Sequence, residues 1–182
     1  MNLITDLEQY TPFNEQEACD VKEILRRLKS GEELYTRDNA SAHLSTSAWV
    51  VSPDRKKVLM AYHNIYDSWS WLGGHADGDH DLLAVAMREV EEESGVIAHP
   101  ISKNIYSVEI LTVDGHVKRG HYVSSHLHLN ITYLLEADDT MPLRVKEDEN
   151  KAVAWFPIDE VCDHVSEKWM AERIYSKLNS QL

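Results

Sequence analysis

An α/β fold is what this chain predicts, and three observations carry that expectation. Short segments rich in β-branched and aromatic residues, such as AHLSTSAWVVS at about 42–52 and KVLMAY at about 57–62, are bounded by turn residues. One segment at about 80–94 interrupts them with apolar residues at helical spacing. Two further helical patterns, at about 15–30 and 165–180, lie on either side of the strands.

The first of these helices carries an apolar stripe of Ala18, Val21, Ile24, Leu25 and Leu28, with Asn14 placed to cap its start and Gly31 to end it. The strands at about 42–52 and 57–62 close into a hairpin through Pro53-Asp54-Arg55. A loop carrying Trp69, Trp71 and Gly73-Gly74 leads to the central helix, where Leu82, Leu83, Ala86 and Val90 form the buried stripe. Further strands are expected at about 104–113, 121–136 and 152–156, separated by Asp114-Gly115 and by the polar stretch 137–151. The last helix, about 165–180, sets Val165, Trp169, Ile174 and Leu178 on its apolar side. No repeat, low-complexity tract or linker interrupts the chain, so its 182 residues read as one domain, 1–182, with an N-terminal helical extension over about 1–40.

Composition narrows the function classes. A formal net charge of −13 argues against general affinity for nucleic-acid backbones or anionic membranes. No stretch approaches the roughly 18 apolar residues of a spanning helix. The amino terminus, MNLITDLEQYTPF, has no basic region followed by an apolar run, and Cys19 and Cys162 stand far apart with no CxxC pairing. A reduced, cytoplasmic protein is the expectation.

The decisive stretch is REVEEESGV, residues 88–96. Glu89, Glu92 and Glu93 stand at i, i+3 and i+4, which puts three carboxylates on one side of a helix. Like charges so packed destabilise a helix unless a cation neutralises them. Hard carboxylate oxygens select Mg²⁺ or Mn²⁺ over Zn²⁺, and such an ion completes its shell with water and substrate phosphate oxygens. That is the chemistry of a diphosphate hydrolase. The bland alternative, an acidic solvated helix face, leaves the two glycines that bracket the helix unexplained.

The spacing resembles the Nudix hydrolase signature, a glycine, five residues, a glutamate, seven residues and then R-E-U-x-E-E-x-G-U, where U is aliphatic. Gly74, Arg88, Glu89, Val90, Glu92, Glu93, Gly95 and Val96 fall on their positions, while His80, between Asp79 and Asp81, replaces the early glutamate. Leu72 stands where many relatives carry proline. Over about residues 32–161 the chain is similar to a bacterial Nudix subfamily with a GGHADGD loop. The resemblance implies a mixed sheet between helices in an α/β/α sandwich, with the signature forming loop, helix and loop. It implies that Glu89, Glu92 and Glu93 hold the metal, that Arg88 orients a glutamate by a bidentate contact, and that Glu92 is catalytic. It also implies an extra carboxylate opposite the signature helix, acting as metal ligand or general base; Glu149 is the choice, with Glu147 and Asp148 beside it and a plain acidic loop as the alternative.

Histidine is unevenly placed. His126 and His128 share one face of a strand whose other face is Leu127, Leu129 and Ile131, while His43 opens the first strand and His75 follows the double glycine. These four are read either as structural histidines or as a second metal or phosphate site; His99, His116 and His164 read as surface residues. Gly73, Gly74 and Trp69 are candidate substrate contacts, the indole as a base-stacking face. Alternation with Ser68 and Ser70 is expected to turn one of Trp69 and Trp71 inward and the other outward, and Trp49 and Trp155 are expected in the core. Lys118 and Arg119, in a polar hairpin loop, are placed to meet phosphate or ribose.

The reading is a Mg²⁺- or Mn²⁺-dependent pyrophosphohydrolase. It acts on a nucleoside diphosphate linked to another moiety, a small-molecule partner, with homodimer formation left open. An isopentenyl-diphosphate isomerase is a second reading, since that branch's histidine and glutamate site resembles His43, His75 and Glu149. It needs an active-site cysteine, and this chain has none between positions 19 and 162. A nucleotide-sensing Nudix domain without turnover is a third.

Overall fold

A computed structural model describes residues 2–65, 67–118 and 120–182. Its elements are helices α1 (Leu3–Gln9) and α2 (Glu15–Lys29), strands β1 (Ala42–Val51), β2 (Lys57–His63), β3 (Ser68–Ser70) and β4 (Leu72–His75), and helix α3 (Leu82–Ser94). Strands β5 (His99–Pro100), β6 (Ser107–Val113), β7 (His116–Lys118), β8 (His121–Val123), β9 (His126–Glu136) and β10 (Asn150–Pro157) follow. The chain ends in a 3₁₀ turn at Val161–His164 and the helical run α4 (Lys168–Met170), a π-turn (Ala171–Tyr175) and α5 (Ser176–Ser180). The strands pair in the order β10-β2-β1-β9-β5, with β3 on β2, β4 on β1 and β6 on β9, and β7 pairs with β8 as a separate ribbon. The class is α/β with a mixed sheet, as the sequence predicts. Among the described residues no helix is long and apolar enough to cross a membrane.

The residues divide into two compact units, one of 1–47, 74–85 and 104–133, the other of 48–73, 86–103 and 134–182. In the first, Asn14 caps α2 as expected, its side chain accepting from the Glu17 amide, and Gly31 follows with φ +77°. The expected stripe is only part of what this helix buries: Val21 and Ile24 are inside, Ala18 is exposed, and Glu17 is buried. The reason lies on β6 and β9. Glu17 accepts from Ser107 Oγ and the Val108 amide, Glu109 accepts from Asn130 and Thr132, and Asn130 accepts from Ser45 and Ser47. A buried carboxylate needs such partners, and these donors supply them. The polar face of β9 that starts with His126 and His128 therefore continues inward through Asn130 and Thr132, in antiparallel register with Glu109 and Ser107.

In the second unit, β2 pairs antiparallel with both β3 and β10. Trp49 stacks on Tyr175 at 5.2 Å, and Ile174 and Leu178 are fully buried.

Several boundaries differ from expectation. The loop at 68–75 contains β3 and β4, short strands whose length gives little periodicity to read. The strand expected at 121–136 is two, because residues 124–125 lie outside any strand between β8 and β9, and β8 pairs with β7. A short helix, α1, precedes the one expected at about 15–30, within the N-terminal stretch of about 1–40. The terminal helix starts at Lys168 and takes a π-turn that shifts its apolar phase, so Trp169 is half-exposed while Ile174 and Leu178 are inside. Ser68 and Ser70 are the buried residues of β3, and Trp69 and Trp71 are both partly exposed, since i and i+2 point the same way along an extended chain. Trp155 is also only partly buried. Arg119 and the side chain of Lys118, read as phosphate contacts, fall outside the described residues.

Candidate active site

The helix that presents the glutamates begins in the first unit, where Asp81 caps it by accepting from the Ala84 amide at 3.1 Å. His80, at the place of the family's early glutamate, packs against Tyr35 with ring centroids 3.9 Å apart and the rings tilted by 34°. The remainder of α3 lies in the second unit with Ala86 and Val90 buried behind the carboxylates. Gly95 ends the helix at φ +74°, and a Cβ there would meet Arg144 Cβ at 3.0 Å. That close approach brings in the polar stretch 137–149: the Arg144 amide donates to Ser94 O at 2.8 Å. Turn hydrogen bonds from the Glu149 and Asn150 amides to Lys146 O, with the Asn64 amide donating to Glu149 O, then set the orientation of Lys146, Glu149 and Asn150.

All four carboxylates of interest belong to this unit, and they face different partners. Glu93, 5% exposed, accepts from the Gly73 amide at 3.1 Å and from Asn150 Nδ2 at 3.3 Å. Glu92 and Glu149 share one ammonium: Lys146 Nζ lies 3.3 Å from Glu92 and 2.9 Å from Glu149. Burial pushes the Glu93 carboxyl up to about 8 against the opposing pull of Asn150 and Gly73, with Glu89 and Glu149 adding to the rise. Burial also raises Glu89; Glu92 and Glu149 reinforce that, while Lys146 and Arg88 act against it. Burial alone would lower Lys146, but its hydrogen bonds to Glu149 and Glu92 hold the ammonium above its ordinary range. The cluster thus concentrates negative charge in a partly desolvated place and draws in the nearest cation.

A NUDIX-domain family model matches residues 42–178. The chain belongs to the Nudix family. A hydrolase of this family from Clostridium perfringens is similar in structure, with a TM-score of 0.54 at 18% identity over 77% of this chain and 98% of that one. A C. elegans Ap4A hydrolase has a TM-score of 0.51 at 14% identity, covering 76% of this chain and 96% of its own. A UDP-X diphosphatase has 0.53 at 16%, covering 98% of this chain and 90% of its own. No curated protein matches the chain. These likenesses speak for the fold; the family match, with the signature glutamates, carries the assignment as a Nudix pyrophosphohydrolase.

Lys146 and Asn150, which contact Glu92, Glu149 and Glu93, are not among the residues that the sequence singles out. A lysine in the acidic run VKEDEN carries no distinctive signal beyond its i, i+3 relation to Glu149, which points to an ion pair. Gly73 turns out to aim its amide at Glu93. Arg88 is exposed on α3 and acts on Glu89 through its charge. Trp69 sits edge-on to Tyr62 and Phe156, with centroids at 5.4 and 4.7 Å.

The four singled-out histidines meet in the first unit. His75 Nε2 lies 3.1 Å, and His126 Nε2 3.2 Å, from His128 Nε2. The His43 ring is 5.1, 4.9 and 5.2 Å from those of His75, His126 and His128. Burial and the neighbouring rings lower His128 to about 2. His99 and His164 are exposed, as expected, while His116 is partly buried, its ring 6.4 Å from that of His126.

Proposed function

We propose that this Nudix chain hydrolyses the diphosphate bond of a nucleoside diphosphate linked to another moiety, using Mg²⁺ or Mn²⁺. The observation that carries the reading is the set Glu89, Glu92, Glu93 and Glu149, gathered in one unit with Lys146 bridging two of them. Ap4A and UDP-X, named for two structural neighbours, fall within that substrate class.

The donor set fits a hard divalent ion. All four side chains offer carboxylate oxygens, one of them is buried enough to resist ionising, and the surroundings have already recruited an ammonium. Glu89, Glu92 and Glu93 would hold the ion, which when bound neutralises charge on phosphate oxygens and lowers the pKa of water. Gly73 and Asn150 orient Glu93 by donating to its two oxygens. Glu149 accepts the proton of the attacking water on a carboxylate oxygen, and Lys146, 2.9 Å away, holds that carboxylate in place. Arg88 lowers the cost of ionising Glu89. The Trp69 face, in the same unit as the four carboxylates, borders the approach of substrate in this reading.

Turnover in ¹⁸O-water tests it. With ADP-ribose and dinucleoside polyphosphates as substrates and Mg²⁺ present, label is expected in one phosphomonoester product, with isopentenyl diphosphate recovered unchanged. Binding of these ligands without labelled product under either metal defeats the hydrolase reading in favour of a sensor.

A further inference from the structure

The carboxylates leave the four-histidine cluster without a role, and its geometry is chemically specific. His43, 4% exposed, turns Nδ1 toward Asn39 O at 3.1 Å, and His126 turns Nδ1 toward Ser124 O at 2.8 Å. A carbonyl oxygen can only accept, so each Nδ1 carries a hydrogen and Nε2 is the ring nitrogen left to offer a lone pair. The His43 Nε2 is buried with no hydrogen-bond partner among the described residues. The His126 Nε2 faces His128 Nε2, which also faces His75 Nε2. One ring nitrogen carries at most one hydrogen, so His128 cannot serve both neighbours with ordinary hydrogen bonds. Three ring nitrogens from His43, His75 and His128 lie within 4.8 Å of one another, and His126 adds a fourth beside His128.

Converging lone pairs need a shared electrophile. We propose that His43, His75, His126 and His128 form a tetrahedral site for one divalent transition-metal ion of the zinc class. Zn–N bonds of about 2.0–2.1 Å put the nitrogens of a regular tetrahedron about 3.3–3.4 Å apart. The nitrogen pairs at 3.1 and 3.2 Å are close to that edge. Imidazole suits zinc, whereas the hard oxygen set of Glu89, Glu92 and Glu93 suits magnesium, so the two sites select different ions. The Asn39 and Ser124 carbonyls supply the outer contact that fixes tautomer and ring direction in histidine metal sites. His75 and His128 are only partly buried, which leaves an entry for the ion. The ion would tie β1, the end of β4 and the start of β9 together, so its binding stabilises the folded chain. The site stands independently of the hydrolase reading.

The test uses full-length protein stripped with a chelator and titrated with Zn²⁺ alone and with Co²⁺ alone. One equivalent is expected, with the strong visible absorption of tetrahedral Co²⁺ and a rise in Tm on adding Zn²⁺. His75→Gln and His128→Gln are expected to weaken Zn²⁺ binding at least about a hundredfold, since outer contacts by themselves are worth about ten- to a hundredfold. Glu92→Gln is expected to retain the equivalent. Wild-type affinity in both folded histidine variants, or loss of the equivalent in Glu92→Gln, overturns the site. Should the histidine variants not fold, the imidazole ¹⁵N resonances of wild type decide: Zn²⁺ must shift the Nε2 signals of all four rings, and unmoved signals overturn the proposal.

Discussion

Lys146 Nζ lies 2.9 Å from the Glu149 carboxylate. The same ammonium reaches Glu92, so a loop residue and a helix residue in the second unit are joined by one positive charge. In a cluster where burial and neighbouring carboxylates raise Glu89 and Glu93, that lysine competes with any ion the carboxylates bind. Lys146→Met is therefore expected to tighten Mg²⁺ binding by about two- to fivefold, the range of one partly exposed ion pair. The Mg²⁺ concentration for half-maximal activity, or direct titration calorimetry, measures it; weaker Mg²⁺ binding in the variant would show that Lys146 supports the ion rather than displaces it.

Glu93→Gln is expected to keep the fold and lower kcat by at least about a hundredfold, the scale of losing one electrostatic stabiliser. It should also change how the metal-free protein responds to pH. Glu93 titrates at about 8 in the folded chain against an ordinary 4.5, so between those values the folded state holds a proton that the unfolded state has released. The sign follows: this carboxyl's contribution is fully present below 4.5 and is lost as pH rises through 8. Denaturant midpoints of metal-free wild type should fall relative to Glu93→Gln from about pH 5 to about pH 9. Parallel curves would place the titration elsewhere.

Gly95 combines φ +74° with a 3.0 Å approach of its would-be Cβ to Arg144. Gly95→Ala is expected to cost about 1–2 kcal/mol from the left-handed backbone alone. Because the Arg144 amide is bonded to Ser94 O, the strain should also loosen the loop that carries Lys146 and Glu149. Urea unfolding gives the stability, and a fall in kcat/KM beyond the loss of folded protein gives the loop effect. A stability change under about 0.5 kcal/mol, the range of ordinary surface substitutions, would show that the helix end tolerates a side chain.

By itself the sequence determined what depends on neighbours along the chain. Helical spacing placed Glu89, Glu92 and Glu93 on one side of α3 with Ala86 and Val90 behind them, and Asn14 and Gly31 marked the ends of α2. Strand alternation put His126 and His128 on one face of β9. Tertiary structure decided everything that joins distant segments. Glu17 lies outside the apolar stripe of its helix, and its burial follows from Ser107 and the Val108 amide, some ninety residues on, which donate to it. The expected focus of three glutamates on one point resolved into Glu93 held by Gly73 and Asn150 and Glu92 held by Lys146. His43 and His75 stand far from His126 and His128 in sequence and could be grouped with them only as candidates; the fold brings their rings against those of His126 and His128. The physical reason is one of range. Helical and strand periodicity are set by backbone geometry within a few residues, whereas the partner of a buried charge or lone pair is set by which loop the packed chain brings within about 3 Å of it.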